Sequence, residues 1–110
     1  MTDESRRPDD PIPSDLVRED ASFEKIVHEF VAGLGQRLES MEQALAAGDI
    51  QALQTAAHRL KGSGGGHGYA ILSELAAQME RDSVSGDLEA VRRDLDELRN
   101  LISRVVVRLD

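Results

Sequence analysis

The sequence contains no cysteine and no tryptophan, and its 110 residues include only two phenylalanines and one tyrosine. Without cysteine there are no disulfides, thiolate nucleophiles or thiolate metal sites, which fits a reducing compartment. Aromatics make up 3% and hydrophobic residues 40%, so the core must come from Leu, Val, Ile, Ala and Met. Such a core suits packed helices better than a sheet, which draws on β-branched and aromatic residues. Basic residues are also short: 13 stand against 21 acids, a formal charge of -8. Phosphate-backbone binding needs a basic footprint, so nucleic acid is not expected as a ligand. No apolar run approaches the length of a membrane span, and the opening "MTDESRRPDD" lacks a signal peptide's apolar region. No membrane association is expected, and the default location is the cytoplasm.

The length allows one small domain with a single core. All three prolines (Pro8, Pro11, Pro13) stand in the first 14 residues beside Asp, Ser and Arg, a composition that reads as a mobile, partly disordered tail or linker. "SDLVRED" adds at most a short helical turn to it. The expected division is a tail over 1–19 and a domain over 20–110.

From Ser22 the pattern changes. Phe23, Val27, Phe30, Leu34, Leu38, Met41 and Leu45 recur at steps of three and four, the spacing of one apolar helix stripe. This helix is predicted to run to Gly48, with Asp49 capping the next. Ile50, Leu53, Ala57, Leu60 and Gly64 form a second stripe; Leu72, Leu75 and Met79 form a third. "SGD" at 85–87 repeats the stop-and-cap signal, and Leu88, Val91, Leu95, Leu98, Ile102, Val105 and Leu109 form the fourth. Four amphipathic helices with short connections hide their stripes by packing antiparallel, so the expected fold is all-α: a monomeric up-down four-helix bundle. Coiled-coil strands of an oligomer are the alternative, which the short loops disfavour.

On the second helix, with Leu60 placed at zero, Leu53, Ala57 and Gly64 lie within about 60° of it, whereas His58 falls at about 160° and Lys61 at about 100°. His58 therefore points away from the core, with Gly62 one turn beyond it. A zinc site is not expected: it needs three or four convergent ligands, and neither His67 nor His28 supplies that set. Gly62 sits inside the helix at a cost of roughly 1 kcal/mol relative to Ala. At i+4 from an exposed imidazole, it leaves another protein room to approach the ring. Lys61 at i+3 adds a cation within reach of an anion on that ring. Exposed imidazole, adjacent cation and cleared ground suit a histidine that receives a phosphoryl group, because a neutral imidazole nitrogen is a competent nucleophile.

The stretch "AHRLKGSGGGHG", residues 57–68, resembles the hallmark of histidine-containing phosphotransfer (HPt) domains of bacterial two-component phosphorelays. Ala57 precedes the histidine, Leu60 takes the buried apolar position, Lys61-Gly62 follow, and Gly68 matches a later glycine that opens the third helix. "LESMEQALAAGDIQALQTAAH" before it and "LSELAAQME" after it fit the family's run of helices, so the resemblance covers about residues 20–108. It implies that His58 accepts a phosphoryl group from a receiver-domain aspartate and passes it to another receiver. Lys61 would stabilise phosphate charge, and Gly62, Gln54, Arg59 and Gly65 would belong to the docking surface. In chemotaxis-kinase members a glutamate on the next helix hydrogen-bonds the imidazole; Glu80 occupies that position, either in that role or as a solvated helix residue. His67 departs from the usual apolar or aromatic residue and is read as a ring packing over the turn. Nothing in the chain resembles an ATP loop, so the expectation is a carrier without cofactor. Mg²⁺ would reside on the partner receiver, and a hybrid sensor histidine kinase would stand upstream. The competing class is a helical adaptor that binds a receiver or kinase without carrying phosphate.

Overall fold

The computed structural model describes residues 9–109, and among these it is helical, with a single isolated parallel β-bridge between Ile12 and Val105. The elements are α1 (Asp15–Glu19), a 3₁₀ turn (Ala21–Phe23), α2 (Glu24–Ala32), α3 (Leu34–Ala46), α4 (Ile50–Gly66), α5 (Ala70–Ser85) and α6 (Leu88–Arg104). The long helices pack in a closed circuit: α3 touches α4 and α6, α4 lies along α5, and α5 packs on α6. Their inward stripes merge into one core that includes Val27, Phe30, Leu34, Leu53, Leu60, Leu72, Met79, Val91 and Leu98. No helix among the described residues is long and apolar enough to cross a membrane.

Local chemistry sets most of the boundaries. Asp49 and Asp87 each cap the helix that follows, accepting the amides of Ala52 and Ala90 at 3.1 Å, and the glycine before each carries a positive φ. These are the two stop-and-cap signals of the sequence. The helix predicted from Ser22 to Gly48 is instead two. At Gly33 the backbone departs from helical geometry (φ -91°, ψ -4°), and its amide donates to the Phe30 carbonyl at 3.1 Å, which tightens the last turn of α2. The apolar stripe runs through the break unbroken: Phe30 and Leu34 on its two sides are both buried. Periodicity registers which face is buried, and a one-residue interruption leaves that phase unchanged.

The fourth stripe is shorter than predicted. α6 ends at Arg104, Val105 is extended (φ -67°, ψ 130°), and Leu109 is 63% exposed. The run Val105-Val106-Val107 is β-branched and pairs with the N-terminal segment rather than continuing a helix. Ile12 donates to the Arg104 carbonyl at 2.9 Å, Val106 to Ile12 at 3.0 Å, and Ser14 to Val107 at 3.3 Å.

Residues 1–8 of the expected tail lie outside the described residues. From Asp10 onward the segment is docked, and Ser14 and Val17 are buried. Ser14 caps α1 by accepting the Val17 amide, and its hydroxyl donates to the His67 carbonyl at 2.7 Å. The Asp15 amide donates to the Gly68 carbonyl at 2.9 Å. Gly68 has φ +91°, and a Cβ there would stand 2.5 Å from both the Leu16 nitrogen and the Ser14 hydroxyl. Only glycine serves at this turn, because it must adopt the left-handed conformation and also admit another strand of backbone.

Candidate functional site

The site is built on α4 and completed by α5. Leu53, Ala57, Leu60 and Gly64 turn one face of α4 into the core. Helical geometry then places Gln54, His58, Lys61 and Gly65 together on another face, at i, i+4, i+7 and i+11, with Gly62 beside them. His58 keeps 66% of its side chain exposed, as its place on the wheel requires. Arg59 is exposed too, about 100° around the helix from His58. Gln54 is half-buried one turn before it.

Glu80 on α5 joins two of these groups. Its Oε2 lies 3.0 Å from His58 Nδ1, and its Oε1 accepts a hydrogen bond from Lys61 Nζ at 2.9 Å. The Lys61 ammonium is the main cause that holds the Glu80 carboxyl below its usual range; His58 contributes in the same direction, and partial desolvation opposes both. An ionised carboxylate can only accept, so Nδ1 of the neutral imidazole carries the proton. The lone pair is then on Nε2, the nitrogen turned away from Glu80. The carboxylate thus sets the tautomer of an exposed ring.

α4 and α5 approach closely because glycines line the seam. A Cβ on Gly64 would come within 3.2 Å of Leu72 Cβ, and one on Gly65 within 3.4 Å of Ser73 Oγ. Ser73 in turn donates to the Lys61 carbonyl at 2.7 Å. Gly65 therefore faces α5, although it shares the His58 face of the helix. Gly62 is different: it is exposed, and nothing stands within 4 Å of where its Cβ would be. The helix runs on to Gly66, so the turn between α4 and α5 is tighter than a five-glycine stretch suggests.

His67 belongs to that turn. Its ring stacks on Phe30 with centroids 4.3 Å apart and planes 5° from parallel, and its Nδ1 lies 2.6 Å from the Ser63 carbonyl, to which it donates. Two side chains that the sequence did not single out complete this end of the core. Tyr69 is buried, its hydroxyl donates to the Val106 carbonyl at 2.8 Å, and burial pushes it up to about 12. Ser14 ties the N-terminal segment to His67, as described above. The lone tyrosine beside the glycine turn was the available signal for the first; nothing local marks the second. Among the described residues no group of three or more His, Asp or Glu is arranged to hold a metal ion.

No curated protein and no solved structure matches the chain. A family model described as Hpt domain does match, over residues 25–107. That match takes in α3 to α6 whole and nearly all of α2, including the helix that presents His58 and the helix that supplies Glu80. The chain belongs to the Hpt domain family, the phosphotransfer modules of two-component signalling.

Proposed function

We propose that this chain is a phosphorelay intermediate in which His58 Nε2 takes a phosphoryl group from a receiver-domain aspartyl phosphate and hands it to a second receiver. The observation that carries the reading is the contact between Glu80 and His58 Nδ1 at 3.0 Å on an otherwise exposed ring. In the transfer the Nε2 lone pair forms the N–P bond while the P–O bond to the aspartate breaks and the carboxylate leaves. No proton has to move. The product ring is cationic, keeps its Nδ1 proton, and retains Glu80 as a counter-charge. Lys61, already near the ring, offsets negative charge on the phosphoryl oxygens. Return or onward transfer is the reverse displacement onto another aspartate.

The surroundings fit a surface that a receiver covers. Gly62 leaves open space beside the ring, and Gln54, Arg59 and Gly65 extend the contact area on α4. The four long helices α3–α6 form the antiparallel up-down bundle that holds this face rigid, and the chain acts as a monomeric, cytoplasmic carrier rather than a kinase. Mg²⁺ belongs to the receiver's acidic pocket, and the phosphoryl group originates in a hybrid sensor histidine kinase.

Incubating the protein with a phosphorylated receiver and Mg²⁺ should move an acid-labile label onto it. His58→Gln should abolish the label while leaving the helical circular dichroism unchanged. A label that persists in that variant would refute the assignment; receiver binding without any label would identify an adaptor.

A further inference from the structure

The last turn of α4 is Gly62-Ser63-Gly64-Gly65-Gly66, so four glycines close the helix that carries His58. Glycine is the poorest helix former after proline, because ordering it costs the most backbone entropy. Left to its own propensity, α4 would end at Lys61. Three of the four glycines serve other needs: Gly62 leaves open space beside the imidazole, while Gly64 and Gly65 let α5 approach. In an α-helix each carbonyl is bonded by the amide four residues on. Gly62 therefore closes the turn that starts at His58, and Gly65 closes the turn that starts at Lys61. Unwinding would cost the Lys61 backbone the geometry that aims its ammonium at Glu80, 2.9 Å away.

The restraint on this turn comes from outside it. His67, the C-cap, donates twice to the Ser63 carbonyl, from its amide at 3.0 Å and from Nδ1 at 2.6 Å. Its ring is pinned in the stack on Phe30, which is itself buried. Its own carbonyl accepts the Ser14 hydroxyl at 2.7 Å, and Ser14 is 1% exposed. The amides of Asp15 and Tyr69 hold the carbonyls of Gly68 and Gly64, each at 2.9 Å. A segment with little helix propensity is thus held helical by residues from three other parts of the chain.

We propose that His67 and Ser14 are positioning residues for phosphoryl transfer: together they clamp the glycine turn as helix and so hold Lys61 beside His58. Both act through Lys61 rather than on the imidazole itself. Their part in transfer rests on the phosphocarrier reading of His58, whereas the clamp on Lys61 does not.

The Glu80 carboxyl reports on Lys61 directly, because the Lys61 ammonium is the main cause of its depressed range. In a carboxyl ¹³C titration of His67→Ala, the Glu80 midpoint should rise toward the ordinary glutamate range, as it should in Lys61→Ala. The Gly65 amide should exchange with solvent about tenfold faster or more, while the amides of α6 keep their natural rates. Ser14→Ala should move both readouts the same way by less. Gly66→Ala places a Cβ where nothing stands within 4 Å and adds helix propensity to the turn. Combined with His67→Ala, it should reverse most of both effects. Phosphoryl uptake from a phosphorylated receiver should slow severalfold in His67→Ala, and in a Lys61→Ala chain the same change should add no further slowing. An unmoved Glu80 midpoint, faster exchange spread equally over α6, or no rescue by Gly66→Ala would each overturn the clamp. Added slowing in the Lys61→Ala chain would overturn the route through Lys61. If His67→Ala does not fold, Ser14→Ala decides by the same readouts. Exchange and titration involve no phosphate, so a natural chain that takes up no label refutes the role of His58 and not the clamp.

Discussion

One carboxylate does two jobs at the site. Glu80 binds Lys61 through one oxygen and the imidazole through the other, so the tautomer of His58 depends on Glu80 remaining ionised. Its folded-state pKa is depressed, which means that its stabilising contribution is present above the ordinary glutamate range and is lost as the pH falls through the depressed value. This runs opposite to Asp94, whose burial on α6 pushes its carboxyl up to about 6, so that its contribution is lost as the pH rises. Glu80→Gln removes the charge while preserving the shape. Because an amide offers the ring either a donor or an acceptor, the variant should lose the preference for a proton on Nδ1. We expect ring ¹⁵N shifts to report mixed tautomers and phosphoryl uptake to slow by about tenfold or more. An unchanged tautomer and an unchanged rate together would show that Glu80 is a bystander. At this scale the sequence was informative about α4, where His58, Lys61 and Gly62 share a face by helical arithmetic. Glu80 lies 22 residues from His58, and no spacing within one helix reveals a contact between two.

At the scale of the element, the glycines of α4 separate into classes that their adjacency in sequence conceals. Gly62→Ala meets open space and gains helix propensity, so it should stabilise the fold by up to about 1 kcal/mol. Gly64→Ala gains the same propensity but drives a Cβ to 3.2 Å from Leu72 Cβ and 3.4 Å from the Ser73 nitrogen. Separating α4 from α5 should cost more than the propensity returns, for a net loss of about 1–2 kcal/mol. Urea denaturation of the two variants measures both signs; equal effects would mean that the seam yields freely. The helix pattern itself was largely legible. Leu53, Ala57, Leu60 and Gly64 are all buried as their spacing predicts, and both aspartate caps form. The break at Gly33 was not legible, because the stripe keeps its phase across it. The end of α6 was misjudged for the converse reason: Val105 and Leu109 continue the helical spacing although the backbone there has already become extended.

For the whole molecule, the N-terminal segment and the C-terminal valines close one end of the helical circuit. Ile12 pairs with Val105, Ser14 reaches His67, Tyr69 reaches Val106, and His67 stacks on Phe30. Four separate parts of the chain meet there. Deleting residues 1–18 would remove the buried Ser14 and Val17, along with the backbone pairing to Arg104 and Gly68. We expect a loss of about 2–4 kcal/mol and a lower melting temperature, with the face around His58 still able to take up label. A truncated chain as stable as the full one would show that the segment rests on the core without supporting it. Composition gave no warning of this docking: proline, aspartate and serine read as tail, but Pro11 and Pro13 fit an extended strap whose few polar groups find partners in two distant turns.

The sequence by itself determined the helical class, the caps and the outward face of His58, because these depend on interactions within a few residues of chain. Local periodicity selects a face, and a cap needs only the next turn. Tertiary structure decided that Glu80 meets the imidazole, that α4 ends in a stacked histidine turn, that residues 10–19 join the fold, and that Gln78 meets the buried Asp94. Each of these places side chains or backbone from separate elements within hydrogen-bonding or van der Waals distance. Such distances follow from how closely the helices pack, and in this chain Gly64, Gly65 and Gly68 set that closeness.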